Sequence, residues 1–469
     1  MTLKHWIILT CLAAAAFNSL GAQEAEGALI EVKMKGMQNG KVRLVGMVAD
    51  QNYLADSTEA IDGAFVLRRQ NPLPAGFYYF LIPGNKSFSI LIDDADQRVS
   101  LEADLADVTG SMQVKGSINT DLLYQNFRFQ EAQDPELKQL AEIIKANPPQ
   151  SEAHKKAKAR QKQMMDERQA HLSELYRKYP NSFFTTFKKA GQNPEFVEYF
   201  KPNGDIDTIR QVVNYRKRFW DNVDFNDERL LRTPVIANKL RRYIKELTSQ
   251  RPDSLIKVSD ELIRRVMPHK EYFKFFVNWI ALQYENGRTT VMDGEAVYVH
   301  IVQNFFTNEL AFWSNEKEIE ALRKHAWEME ASLMGKKGPD VTAPDINGKP
   351  QTLYAKTAPV LVVYMFSPDC EHCQKDAHKM EQIYRKWKDR GVDFYGIGVN
   401  TNQADWSKFV REKGFTFTNV FDPTYRAIYA KYFVDNTPEL YVLNEERIIV
   451  AKNLKADQLE TIFERELRK

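Results

Sequence analysis

With three cysteines in 469 residues, this chain cannot be a scaffold held together by disulfides. It also has no excess of charge of either sign. Its 65 Lys and Arg balance 63 Asp and Glu to a net +2, which selects no particular partner and argues against a nucleic-acid binder. The basic run Lys155, Lys156, Lys158, Arg160 and Lys162 is diluted by Glu152, Asp166 and Glu167, and it reads as a solvated helix face. His154, His171, His269, His300 and His325 are scattered, with no metal-ligand spacing such as His-Glu-x-x-His. Beyond residue 22 no segment is apolar enough to match the roughly 20 residues of a membrane span.

A hydrophobic content of 43% with 12% aromatics is enough to fold, and 469 residues are too many for one ordinary core, so two or three domains are expected. Residues 1–22 read as a secretory signal. Lys4 supplies the positive charge, Trp6 to Ala16 the apolar stretch, and Ser19-Leu20-Gly21-Ala22 the small residues for cleavage. Cys11 lies inside that apolar stretch, and its removal with the signal would leave only Cys370 and Cys373. A single close pair in an exported chain points to chemistry rather than to structure.

Three regions follow. Residues 28–116 carry short strand-like runs (Ala28 to Met34, Lys41 to Val48, Ala64 to Arg69, Phe77 to Ile82, Phe88 to Ile92, Val99 to Ala103) separated by Gly, Pro, Asn and Asp, which predicts a small β-sandwich or barrel. Residues 121–334 turn helical, as in Leu137, Leu140, Ala141 and Ile144, or in the aromatic stripe Tyr272, Phe275, Phe276, Trp279 and Ile280. That stripe is expected to be core. Gly335-Lys336-Lys337-Gly338-Pro339 reads as a linker into residues 335–469, where strands and helices alternate. Buried strands are expected at Val360 to Phe366 and Val392 to Val399, and helices at Cys373 to Arg390, Asp405 to Lys413, Thr424 to Lys431 and Lys455 to Arg468. A hairpin is expected at Glu439 to Leu443 and Ile448 to Lys452. The fold class is therefore multidomain: an all-β N-terminal domain, an all-α central domain and a C-terminal α/β domain.

Cys370-Glu371-His372-Cys373 joins the first of those strands to the first of those helices. Two cysteines at i and i+3 on a first helical turn are close enough to form a small disulfide ring. The first thiol faces the unpaired N–H groups and positive end of the helix, a setting that lowers a thiol pKa from about 8.5 to between roughly 3.5 and 7.5. His372, as a cation, would favour the Cys370 thiolate further.

Together with two other features, this motif resembles the thioredoxin superfamily, specifically the TlpA/ResA-like envelope thioredoxins. One is Gly338-Pro339-Asp340 through Asp345-Ile346-Asn347-Gly348-Lys349, which looks like the segment leading into that fold; the other is Thr437-Pro438 just before Glu439, which looks like its cis-proline loop. The resemblance covers residues 335–469 and implies a thioredoxin-like fold. It implies Cys370 as nucleophile, Cys373 as resolving thiol, a redox disulfide between them, Pro438 cis, and the Thr437 backbone free to pair with an extended substrate. It implies a reductase or isomerase with disulfide-bearing envelope proteins as partners, no cofactor, a periplasmic or envelope location, and a membrane electron donor of the DsbD or CcdA kind if the chain is a reductase. The layout of all three domains also looks like exported thioredoxin-like proteins whose front domains have no assigned function.

Two departures bear on the mechanism. Tyr364 stands where many thioredoxins have a buried acid six residues before the first cysteine, and Pro344 where ResA-like members carry an acid. Asp345 and Asp369 are the candidate substitutes. Other readings compete. A thiol peroxidase would use Ser367 as the hydroxyl of its motif, but Val363 replaces the required proline. A zinc site would take Cys370, Cys373 and His372 or His378, one ligand short of a structural set. A non-enzymatic envelope binding protein would place its function in the first 334 residues.

Overall fold

Alternating burial builds the N-terminal region. In β1 (Leu29–Lys35), Ile30, Val32 and Met34 are buried while Glu31, Lys33 and Lys35 face solvent, the period-2 pattern of a strand with one face on a core. The computed structural model describes residues 27–285, 288–424, 431–434 and 436–468. The signal segment with Cys11 lies outside the described residues, as does most of the helix expected at 424–431.

The strands β2 (Gly40–Val48), β3 (Gln51–Ala60), β4 (Ala64–Arg68), β5 (Gly76–Ile82), β6 (Lys86–Ile92), β7 (Arg98–Asp104) and β8 (Gln113–Lys115) complete two four-stranded sheets, ordered β4-β1-β7-β8 and β3-β2-β5-β6. Ile30, Val32, Val42, Leu44, Phe80 and Leu101 belong to one buried cluster fed by both sheets. β3 escapes sequence reading because most of its residues are exposed. It is an edge strand, held by its ladder to β2 along the length of both strands, and a ladder needs no apolar pattern.

After the four-residue helix α1 (Val108–Ser111), the helices α2 (Ile118–Ala146), α3 (Glu152–Lys178) and α4 (Phe183–Gly191) follow. The chain divides into two compact units, 1–193 with 222–237 and 194–221 with 238–469. The helices expected to form one body over 121–334 are thus shared between them. The reason is visible in the first unit. Thr120 Oγ1 donates to the Leu91 carbonyl at 2.9 Å, and Tyr124 Oη to the Ser89 carbonyl at 3.1 Å. Asn119 donates to Asp96 at 2.7 Å and accepts from the Phe184 amide at 2.9 Å. These buried bonds join α2 to the β6 edge and α4 to α2. The basic run on α3 is neutralised locally, with Arg160 bonded to Glu136 and Glu167 and Lys162 to Asp166.

Within the second unit, α5 (Thr208–Arg218), α7 (Pro252–Val266), α8 (Lys270–Tyr284), α9 (Glu295–Phe305) and α10 (Glu316–Glu330) precede the C-terminal sheet, while α6 (Pro234–Lys245) crosses the boundary at residue 238. In α8 the aromatic stripe is core: Tyr272, Phe276, Trp279 and Ile280 are all buried.

A short hairpin, β9 (Thr342–Pro344) and β10 (Pro350–Thr352), leads to a five-stranded sheet ordered β13-β12-β11-β14-β15. Its strands are β11 (Val360–Phe366), β12 (Val392–Gly398), β13 (Thr418–Phe421), β14 (Glu439–Leu443) and β15 (Ile449–Lys452). β11, β12 and β13 run parallel, and β14 and β15 are antiparallel to their neighbours. Every residue of β11 is buried. Val360, Val362, Tyr364 and Phe366 join the core cluster that contains Cys373 and Trp387, whereas Leu361, Val363 and Met365 join a second cluster with Tyr432 and Tyr441. A strand covered on both faces reads as a continuous apolar run, which is why it is legible in the sequence. The helices α11 (Glu371–Trp387), α12 (Gln403–Lys413) and α13 (Leu459–Leu467) complete the domain.

Candidate active site

The central strand β11 delivers the chain through Ser367-Pro368-Asp369 to Cys370, the N-cap of α11. Its Sγ accepts the Cys373 amide at 3.3 Å, satisfying one of the donors that a helix start leaves free. The same sulfur donates its proton to the Thr437 carbonyl at 3.0 Å, and the Thr437–Pro438 peptide bond is cis. Sequence-distant segments thus meet at one atom. Both cysteines are free thiols here, Cys370 half-buried and Cys373 fully buried.

The two thiols are held in opposite states. Burial raises the Cys370 pKa, but hydrogen bonds from the side chains of Cys373 and Thr437 and from the backbone amides of Cys373 and His372 outweigh it and bring it below the ordinary value. Burial, reinforced by the hydrogen bond with Cys370, pushes Cys373 up to about 12. One thiol is made more acidic than usual, and the other, beneath it, less.

The His372 ring is exposed, and what reaches Cys370 is its backbone N–H. Glu371 points to solvent and pairs with Lys375 at 2.6 Å. Neither candidate acid substitute is used. Asp369 is exposed, and Asp345 closes its own turn by accepting from Asn347, Lys349 and Gln351. Tyr364 is fully buried in the Cys373 cluster with its hydroxyl unpartnered. Among the described residues no group of three or more His, Cys, Asp or Glu is placed to hold a metal ion.

Sequence reasoning misses Glu439. It follows Pro438 and lies opposite Met365 in the ladder, and its Oε1 is buried without a partner. As the first residue of a predicted strand it gives no signal. Only a carboxyl beside a cis-proline motif, inside an otherwise apolar run, could mark it.

Residues 334–452 match the AhpC/TSA family model. Residues 29–123 and 206–325 match two domains of unknown function, DUF4369 and DUF5106. The thiol-disulfide oxidoreductase ResA of Bacillus subtilis is 26% identical over 121 residues, covering 26% of this chain and 67% of that protein. ResA of Bacillus cereus is 22% identical over 123 residues, covering 26% of this chain and 70% of that protein. A thioredoxin-like protein from Bacteroides caccae aligns with 58% of this chain and 99% of its own at 18% identity, with a TM-score of 0.48. The C-terminal domain is a thioredoxin-superfamily fold of the AhpC/TSA type. Within that superfamily it is TlpA/ResA-like, and the similarity supports thiol–disulfide oxidoreductase activity for this domain.

Proposed function

We propose that this chain is exported and exchanges disulfides with envelope proteins through Cys370-Glu371-His372-Cys373, as a reductase or isomerase. The Cys370 thiolate attacks one sulfur of a substrate disulfide. A new S–S bond forms, the substrate bond breaks, and the departing substrate sulfur takes a proton. Cys373 then loses its proton and attacks Cys370 Sγ. The Cys370–Cys373 disulfide forms and the second substrate sulfur leaves as a thiol. Two electrons and two protons have passed to the substrate. Return to the dithiol needs a membrane dithiol donor of the DsbD or CcdA kind.

The observation that carries this reading is the asymmetry of the pair: a half-buried, acidified Cys370 over a fully buried Cys373 held at about 12. A nucleophile must be reachable and ionised, whereas a resolving thiol must wait. The test is a trap. Cys373→Ser is expected to accumulate mixed disulfides through Cys370 with disulfide-bearing envelope proteins, reversed by dithiothreitol and absent from Cys370→Ser. No trapped species in an oxidising compartment would overturn the reading.

A further inference from the structure

On the face of the sheet opposite α11, Glu295, Glu439, Tyr441, Lys452 and Asn453 converge in a tight space with no room for a water molecule. The charged groups here, with neighbouring Asp293, come from the helices and from the sheet of the second unit. Asp293 and Glu295 belong to the segment leading into α9, Glu439 opens β14, and Lys452 and Asn453 close β15. Asp293, Glu295 and Lys452 are only 4%, 3% and 3% exposed. The Lys452 ammonium lies 3.8 Å from Glu295 and 3.9 Å from Asp293, and 5.4 Å from the centre of the Tyr441 ring. Asn453 Nδ2 donates to Glu295 at 2.5 Å, and the Met334 amide to Asp293 at 3.2 Å.

Three carboxyls around one ammonium, two of them out of water and Glu439 half-buried, do not all ionise. Burial raises Glu439 and Asp293 to about 7 against the pull of Lys452, with Glu295 adding to the rise in both and Asp253 adding to it at Asp293. Asp293 Oδ1 and Glu295 Oε2 meet Lys452 only at ion-pair distance, and they, Glu439 Oε1 and Asn453 Oδ1 are buried without a hydrogen-bond partner. Such an arrangement is costly for a group with no task. It sits two residues from Thr437, whose carbonyl takes the Cys370 proton. A second contact reaches the same loop: the His325 ring of α10 packs edge-on to Phe433 at 4.9 Å.

We propose that Lys452, Glu439, Glu295 and Asp293 form a buried charged clasp through which residues 293–295 fix the Thr437–Pro438 loop against Cys370, making Lys452 and Glu439 positioning residues of thiol exchange. This rests on the oxidoreductase reading only for its purpose; the geometry is tested without turnover. The clasp sets how firmly Thr437 is presented to Cys370, and so sets the reactive fraction of that thiol.

In the full chain, iodoacetamide labelling of Cys370 is followed against pH in the unsubstituted protein, Glu439→Gln, Lys452→Met and Lys452→Arg. Hydrogen exchange of residues 437–441 and 293–296 is measured alongside. Loss of the clasp is expected to loosen both segments together and slow Cys370 labelling at pH 7 about threefold or more in Lys452→Met, since the Thr437 side chain, unlike its carbonyl, is one of the groups lowering that thiol's pKa. Lys452→Arg restores the labelling rate, and Glu439→Gln, nearly isosteric, gives a partial effect if Lys452→Met does not fold. Labelling profiles that superimpose on the unsubstituted protein, or exchange that rises equally throughout β11, would overturn the proposal. Failure of the trapping experiment with an altered labelling profile would sink the oxidoreductase reading alone.

Discussion

The Cys370 sulfur and the Thr437 carbonyl oxygen stand 3.0 Å apart across 67 residues of sequence. Without the loop that carries Thr437, Cys370 would be an ordinary helix cap. With it, the sulfur is tied to a second, remote segment of the chain.

Alkylation should separate the two thiols. Cys370 is expected to label with a midpoint below the ordinary thiol value of about 8.5, and its rate should level off above that midpoint. Cys373, at about 12 and without solvent access, should label at least about 100-fold more slowly. Mass spectrometry of peptides after timed quenching reads both rates. Equal and slow labelling would remove the basis of the mechanism.

Tyr364→Phe removes a buried hydroxyl that has no partner and leaves the ring's stacking on Phe366, at 5.1 Å between centroids. Stability is expected to rise by about 1 kcal/mol, read as a shifted urea midpoint with an unchanged slope. A loss of stability would show that the hydroxyl is bonded in solution.

Stability should fall as pH rises through neutrality. Burial favours the neutral forms of Glu439 and Asp293, holding both at about 7 against ordinary values of 4.5 and 3.8. Groups raised in the fold contribute stability that is fully present below their unfolded values and is lost as pH climbs through their folded ones. Urea midpoints measured between pH 4.5 and 8 are expected to decline, and Glu439→Gln should flatten that decline. A midpoint that rises with pH in both proteins would contradict the assignment.

Asn119→Ala tests the first unit. The substitution strips a partner from Asp96 and from the Phe184 amide at once. A cost of about 2–3 kcal/mol is expected, because a buried carboxyl and a buried amide are both left unsatisfied. A change under about 0.5 kcal/mol, the range of ordinary surface substitutions, would show that water replaces the side chain.

Much of the C-terminal domain is legible in its residues. Val360 to Phe366 is one unbroken apolar run because neighbours cover both faces of β11, and the cysteine pair follows it directly. β3 is hidden because it is an exposed edge whose order comes from backbone bonds. α4 and β13 are too short to show a period. The single helical domain expected over 121–334 rests on helical periodicity, which marks helices without saying what they pack on. Whether α2 packs on strands or on other helices depends on Thr120, Tyr124 and Asn119 finding buried partners, and those partners are remote in sequence.

The chain's own order of residues settled the chemistry: two thiols one turn apart at the start of a helix, with a proline 65 residues beyond the second. Local rules reach that far because a helix start presents its donors to its own first residues. Tertiary structure alone decided which thiol is made more acidic and which less, that the His372 ring stands in solvent, and that Glu439 meets Glu295 and Lys452 in one space. Desolvation and charge pairing are sums over everything nearby, and what is nearby is set by folding.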